Sequence, residues 1–194
     1  MESYSEAVRG QIEASIAVKQ AVLNDSRLIG QIGDLAQRCL DSLRQGGKVL
    51  FAGNGGSFAD AQHLSAEFTS RFMFDRAPLA SLALGTNSSA ISAIGNDYGY
   101  DQVFARELEG IAKPGDVFIP ITTSGNSPNL LLAVEMANRM KITTVCLTGQ
   151  SGGKIKSLCE CLCVPSTVTA RIQESHIMIG HILCGLIEHH YFKQ

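Results

Sequence analysis

The chain has 194 residues, 45% hydrophobic and 18% charged, with a formal net charge of -2. That length suits one domain with a sizeable core, and the near-neutral balance gives no electrostatic reason to expect nucleic acid or an anionic membrane as partner. The opening "MESYSEAVRGQIEAS" has acids and no apolar stretch, so it does not read as a signal peptide, and no apolar run nears the ~20 residues of a bilayer span; the expectation is a cytoplasmic protein.

Two helices come first. Val8, Ile12, Ile16 and Leu23 give a thin helical pattern, and Leu28, Ile32, Leu35, Ala36, Cys39, Leu40 and Leu43 a stronger one that stops at Gly46-Gly47. After these the runs "KVLFA", "LASLAL", "DVFIPIT" and "TTVCLT" each meet a turn of glycine, serine or asparagine and then a helix-like stretch. That alternation predicts an α/β fold with a central parallel sheet and helical crossovers. The later helices are placed at Ser57 to Phe72, Ser89 to Ile94, Gln102 to Ile111, Ser127 to Met140 and Arg171 to Phe192. In "CECLC" the period-two spacing of Cys159, Cys161 and Cys163 predicts one buried face of a short strand. Together with Cys39, Cys146 and Cys184 they read as reduced thiols, since no export signal precedes them.

In doubly wound sheets ligands bind beyond the carboxyl ends of the strands, where two turns here are rich in polar groups. "TTSGNS", Thr122 to Ser127, brings hydroxyls and the free N–H groups of a helix start into one volume, which suits an anion. A helix cap needs one hydroxyl and this turn has four, so phosphate binding is favoured over a plain cap. Neither a Walker A nor a G-x-G-x-x-G sequence is present, which disfavours nucleoside triphosphates and dinucleotides. The other turn, "GNGGS", opens a helix carrying His63 and Glu67 one turn apart. Such a pair serves as two metal ligands, as a base with its orienting partner, or as a surface hydrogen bond.

On the last helix "ARIQESHIMIGH" places Gln173, His176 and His181, beside a core stripe of Ile172, Ile179, Leu183, Leu186 and Ile187. Gln173 and His181 stand ~12 Å apart along the helix and ~80° around it. One metal joins both only if long side chains stretch toward each other or a second chain supplies one of them, so a composite or interfacial site is expected.

Taken in order, "GNGGSFADAQHLSAEF", "AIGNDYG", "TTSGNSPN", "LTGQSGGKI" and "ARIQESHIMIGHIL" resemble the phosphoheptose isomerases of the sugar isomerase (SIS) superfamily, over nearly the whole chain. The resemblance implies a three-layer SIS fold in a single domain, residues 1 to 194, with the N-terminal helices of residues 1 to 46 used in packing and oligomerisation. It further implies a homotetramer with active sites at subunit contacts, and interconversion of sedoheptulose 7-phosphate and D-glycero-D-manno-heptose 7-phosphate. That reaction opens the route to ADP- or GDP-heptose for the bacterial envelope, lipopolysaccharide included.

For the site, the resemblance implies one zinc per subunit on His63, Glu67, Gln173 and His181, with Glu67 and His181 as the acid/base pair. It implies substrate contacts from Asn54, Gly55, Gly56, Glu67, Asn96, Asp97, Thr122, Thr123, Ser124, Ser127 and Gln173. The sequence departs from the family pattern at Thr122, Phe58 and the "LGTNSS" turn; Thr122 keeps a hydroxyl, while Phe58 and Asn87 bear on the shape of the sugar pocket. The rival readings are a non-catalytic SIS-domain regulatory or binding protein, which the four metal-site residues argue against, and an SIS isomerase of another sugar phosphate.

Overall fold

A computed structural model describes residues 3–193. Two helices of similar length begin it: α1 (Tyr4–Asn24), closed at its start by a reciprocal Ser3/Glu6 capping box, and α2 (Ser26–Arg44), whose first turn is capped by the Asp25 carboxylate on the Leu28 N–H. They are followed by β1 (Val49–Gly53), α3 (Gly56–Thr69), β2 (Ser81–Ala83), α4 (Ser88–Tyr98), α5 (Val103–Ile111), β3 (Val117–Thr122), α6 (Pro128–Arg139), β4 (Thr143–Gly149), β5 (Glu160–Val164) and α7 (Thr169–Phe192).

The five strands pair in parallel in the order β2-β1-β3-β4-β5. The central strands β1 and β3 are buried at every position, as a sheet covered on both faces requires. Successive side chains alternate between two cores. Val49, Phe51, Val117, Ile119, Val145, Leu147, Leu162 and Val164 face α2, α3 and α7, while Leu50, Ala52, Phe118 and Cys146 face α5 and α6. The result is the three-layer α/β/α arrangement with all strand carboxyl ends at one edge, where β1 runs into α3 and β3 into α6.

Five expectations need correction. The helix expected to reach Phe72 ends at Thr69, because the Arg76 guanidinium takes the carbonyls of Glu67, Phe68 and Ser70 that a longer helix would use. The thiol face of β5 is only half-buried: β5 is the sheet's edge strand, and it is Leu162 and Val164, on the other face, that enter the core. In α7 the buried stripe is Ile172, Ile179, Leu183 and Ile187, joined by Ser175, His176 and Cys184, whereas Leu186 is 37% exposed. The Ser89 to Ile94 helix extends to Tyr98, and Gln102 closes a short 3-10 turn before α5 rather than starting it.

Candidate active site

The glycine turn between β1 and α3 is needed for its shape. Gly55 sits at a φ of 56° as the residue capping α3, a left-handed conformation that side chains disfavour. Gly56 follows with the Gln173 amide of α7 pressed against it: a Cβ there would stand 2.7 Å from Gln173 Nε2. Asn54 is fixed by a reciprocal pair of 2.9 Å hydrogen bonds with Asn129, a buried residue of α6, and its carbonyl oxygen also receives the Tyr100 hydroxyl at 3.4 Å. Asn129 was not anticipated from sequence; nothing local marks an asparagine two positions inside a helix as the partner of one 75 residues earlier.

The hydroxyl turn after β3 makes a small cavity of about 100 Å³ lined by Asn54, Ser57, Thr122, Thr123, Ser124, Ser127 and Gln173. Its hydroxyls are not equivalent. Thr122 is buried, and its oxygen accepts the Gly125 N–H at 3.2 Å; the Ser124 oxygen accepts the Asn126 N–H at 3.2 Å. Both hold the loop in shape while keeping an O–H to donate. Ser127 occupies the capping position of α6 but makes no capping hydrogen bond, with Pro128 behind it. Its hydroxyl lines the cavity without serving as a cap, so the turn is not a simple cap. The Asn126 side chain ties the loop to the next one, donating to the Ser124 carbonyl at 3.0 Å and accepting the Lys154 N–H at 3.0 Å.

About two turns into α3 and three turns into α7, His63, Glu67 and His181 come together. Their ligand-type atoms lie within 4.8 Å of one another, with His63 Nε2 at 2.8 Å from His181 Nε2 and 3.3 Å from Glu67 Oε1. Two imidazole nitrogens and a carboxylate oxygen, open to solvent on the His63 side, suit a divalent metal such as zinc with coordination positions to spare. Asp60, one turn before His63, adds a fourth polar group. Its carboxyl is raised above the ordinary value by burial, an effect that His63 and His181 partly oppose, and its Oδ2 has no hydrogen-bond partner among the described residues. Asp60 was missed in the sequence, although its position three before His63 on one helix face was a readable signal. The His181 ring is also stacked on Phe72, centroids 5.5 Å apart.

Gln173 is placed differently from the other three expected metal ligands: its amide rests on Gly56 and lines the hydroxyl cavity. Asn96 and Asp97, hydrogen-bonded to each other at 2.8 Å, lie at the exposed end of α4 and line a separate open cavity with Ser88, Ser89 and Ser92. The helices α3 and α7 thus contribute both to the cradle, through Ser57 and Gln173, and to the His/Glu cluster, whereas Asn96 and Asp97 stand outside both groups. Asn87 caps α4, its oxygen accepting the Ala90 N–H at 3.1 Å, and the Phe58 ring packs at Gly85.

A family model for the SIS domain matches residues 13–149. Among curated proteins, the phosphoheptose isomerase of Aneurinibacillus thermoaerophilus is 51% identical over 187 residues, covering 96% of this chain and 94% of that protein. Phosphoheptose isomerase 2 of Campylobacter jejuni is 48% identical over 193 residues, covering 99% of this chain and 96% of that protein. Among solved structures, a phosphoheptose isomerase from Francisella tularensis superposes with a TM-score of 0.91 at 36% identity, covering 96% of this chain and 99% of that one. The enzyme from Neisseria gonorrhoeae gives 0.89 at 40% identity with the same coverage.

Proposed function

The chain belongs to the phosphoheptose isomerases of the SIS-domain family, and from that premise we propose that it interconverts sedoheptulose 7-phosphate and D-glycero-D-manno-heptose 7-phosphate by acid/base enediol chemistry. The observation that carries the reading is that the same two helices, α3 and α7, contribute Ser57 and Gln173 to a hydroxyl cradle and, further along, His63, Glu67 and His181 to one cluster.

Aldose–ketose isomerisation moves a proton between C1 and C2 and another between their oxygens. In this reading Thr123, Ser124 and Ser127, with the N–H groups of the loop, anchor the phosphate away from the chemistry, so that binding energy at that end orients the carbons at the other. Glu67 takes the proton from one carbon and returns it to the next. His181 passes a proton between the two oxygens as the enediol forms and collapses. Such transfers contribute ~10² to 10⁴ in rate each. His63, Glu67 and His181 would hold a zinc ion, with Gln173 joining by rotation of its amide away from Gly56; the ion, when bound, supplies charge stabilisation for the oxygens. Asn54, Gly55 and Gly56 bring backbone and amide groups to the sugar hydroxyls.

The proposal extends to assembly as a homotetramer. Tyr4, Val8, Ile12, Ile16 and Leu23 of α1 are 95%, 58%, 55%, 57% and 65% exposed, an apolar stripe that suits burial against other copies. A homotetramer gives α1 that role and brings Asn96 and Asp97 of α4 to a site at a subunit contact. Among the described residues no helix is long and apolar enough to cross a membrane; we place the enzyme in the cytoplasm, feeding heptose to an envelope glycan such as lipopolysaccharide.

The test is a panel of ketose and aldose phosphates assayed as purified, after chelation, and after zinc is restored. Turnover confined to the seven-carbon pair and recovered with zinc supports the proposal. Turnover of a different sugar phosphate in its place replaces the substrate, and none with any member of the panel leaves a non-catalytic SIS-domain binding protein.

A further inference from the structure

One buried ion pair ties down the end of α3 and the loop that follows. Arg76 Nε meets Glu188 Oε1 at 2.9 Å, and the two side chains are 3% and 1% exposed. Arg76 spends the rest of its guanidinium on backbone: Nη2 donates to the Glu67 carbonyl at 2.7 Å, and Nη1 to the carbonyls of Phe68, Ser70 and Ala77 at 2.7, 2.8 and 3.1 Å. Glu188, on α7, accepts the N–H of Phe72 at 2.9 Å and that of Met73 at 2.7 Å. Burial pushes the Glu188 carboxyl up, but these two N–H groups and the guanidinium outweigh it and hold the group below its ordinary value. The ring of Phe72, whose backbone that N–H bond holds, lies nearly parallel to the His181 imidazole at an interplanar angle of 22°.

The pair therefore has one hand on each half of the cluster. Through the Glu67 carbonyl it fixes the backbone that carries the carboxylate; through the Phe72 N–H it fixes the backbone from which the ring beside His181 projects. Stability alone is a poor reason for such a pair, because well-packed apolar residues commonly replace a buried ion pair at no loss. What apolar residues cannot reproduce is a hold on four carbonyls and two N–H groups. We propose that Arg76 and Glu188 are positioning residues of the isomerase, setting Glu67 against His181 through the Glu67 carbonyl and the Phe72 ring. This rests on the reading of Glu67 and His181 as the acid/base pair.

Four variants test it: Arg76→Lys, Glu188→Gln, the double change Arg76→Leu with Glu188→Leu, and Phe72→Leu. Each is measured for kcat, KM and thermal midpoint, and for the chemical shifts of the His181 ring protons in metal-free protein. The single changes at the pair are expected to lower the midpoint and to lower kcat ~10- to 100-fold, the scale of a misplacement near 1 Å. KM should stay within about twofold, since the pair grips the far ends of α3 and α7, whereas Ser57 and Gln173 lie at their starts and the other hydroxyls follow β3. The double Leu variant should recover the midpoint but not kcat, and Phe72→Leu should lower kcat with little change in the midpoint. In the double variant and in Phe72→Leu, the ring-current shift that Phe72 imposes on His181 should be lost.

Recovery of kcat together with the midpoint in the double variant overturns the proposal. If that variant does not fold, wild-type kcat in both Arg76→Lys and Phe72→Leu overturns it. Glu67→Gln and His181→Asn are assayed alongside: activity in those two sinks the acid/base reading itself, while the His181 ring shift still reports whether the pair places the imidazole.

Discussion

His63 and His181, 118 residues apart in sequence, face each other Nε2 to Nε2 at 2.8 Å. Two imidazole lone pairs at that separation repel unless a proton or a cation lies between them, and the Glu67 carboxylate at 3.3 Å from His63 adds negative charge to the same spot. The cluster thus offers three ligand-type atoms that could hold a cation. Titration of metal-free protein with zinc, followed by calorimetry, should give one ion per chain. Loss of an outer partner of a metal ligand typically costs ~10- to 100-fold in affinity, so loss of a ligand in His63→Asn should cost about 100-fold or more. An unchanged zinc isotherm in that variant would remove His63 from the set.

The division of labour among the hydroxyls predicts two different failures. Ser127→Ala removes a hydroxyl with no capping duty, so KM for the sugar phosphate should rise while kcat and the thermal midpoint change little. Thr122→Val removes the acceptor of the Gly125 N–H inside a buried turn, which should cost ~1 to 3 kcal/mol of stability in addition to weaker binding. Steady-state kinetics with thermal denaturation of both variants checks the split; equal effects on KM and stability in both would contradict it.

Gly56→Ala tests the contact between the glycine turn and α7. The added Cβ would lie 2.7 Å from Gln173 Nε2, too close for the amide to stay, and the flexible side chain can swing away. The fold should survive with a modest loss of stability, whereas substrate contacts made by Gln173 and by the turn should both suffer. A KM raised several-fold is expected, and pairing the change with Gln173→Ala should add little to it, since both remove one interaction.

The layers were legible because they are local. Period 3.6 in α2 and short aliphatic runs closed by glycine turns are written in neighbouring residues, and His63 with Glu67 needs only one helix turn to be noticed. The cradle was legible for the same reason, as a dense run of hydroxyls at a strand end. What escaped depended on contacts far apart in the chain: Asn129 on Asn54, and Arg76 with Glu188 at a separation of 112 residues. Leu186 was misplaced because helical period alone does not say how wide the buried stripe of α7 is. The half-buried thiols of β5 were misplaced because sequence alone does not tell an edge strand from an inner one.

His176 gives the protein an acid-sensitive core. It is 0% exposed, and burial pushes its pKa down to about 4 from the usual 6.5, with the Thr148 backbone offsetting only part of that. The unfolded chain takes up a proton below about pH 6.5 that the folded chain refuses until about pH 4, so stability should fall as pH drops across that window and stay flat above it. The loss amounts to on the order of 3 kcal/mol from this group. Urea denaturation from pH 4 to 8, compared with His176→Leu, checks it: the variant should lack this part of the slope, and parallel curves would exclude His176 as its source.

Glu67→Gln separates chemistry from binding. The amide keeps the size of the side chain and an oxygen for its neighbours but cannot take a proton from carbon, and a base of this kind contributes ~10² to 10⁴ in rate. The Arg76 hold on the Glu67 backbone carbonyl does not depend on the side chain, so the end of α3 should remain in place. The cradle on the β3–α6 loop is likewise independent of it. Isomerase activity should therefore fall below detection while inorganic phosphate still binds with wild-type affinity, measured by calorimetry in the presence of saturating zinc. Saturating metal matters here because Gln is a weaker ligand than Glu, and without it a loss of metal would imitate a loss of base. Turnover near the wild-type rate would show that another group, such as Asp60, whose Oδ2 has no hydrogen-bond partner among the described residues, moves the carbon-bound proton.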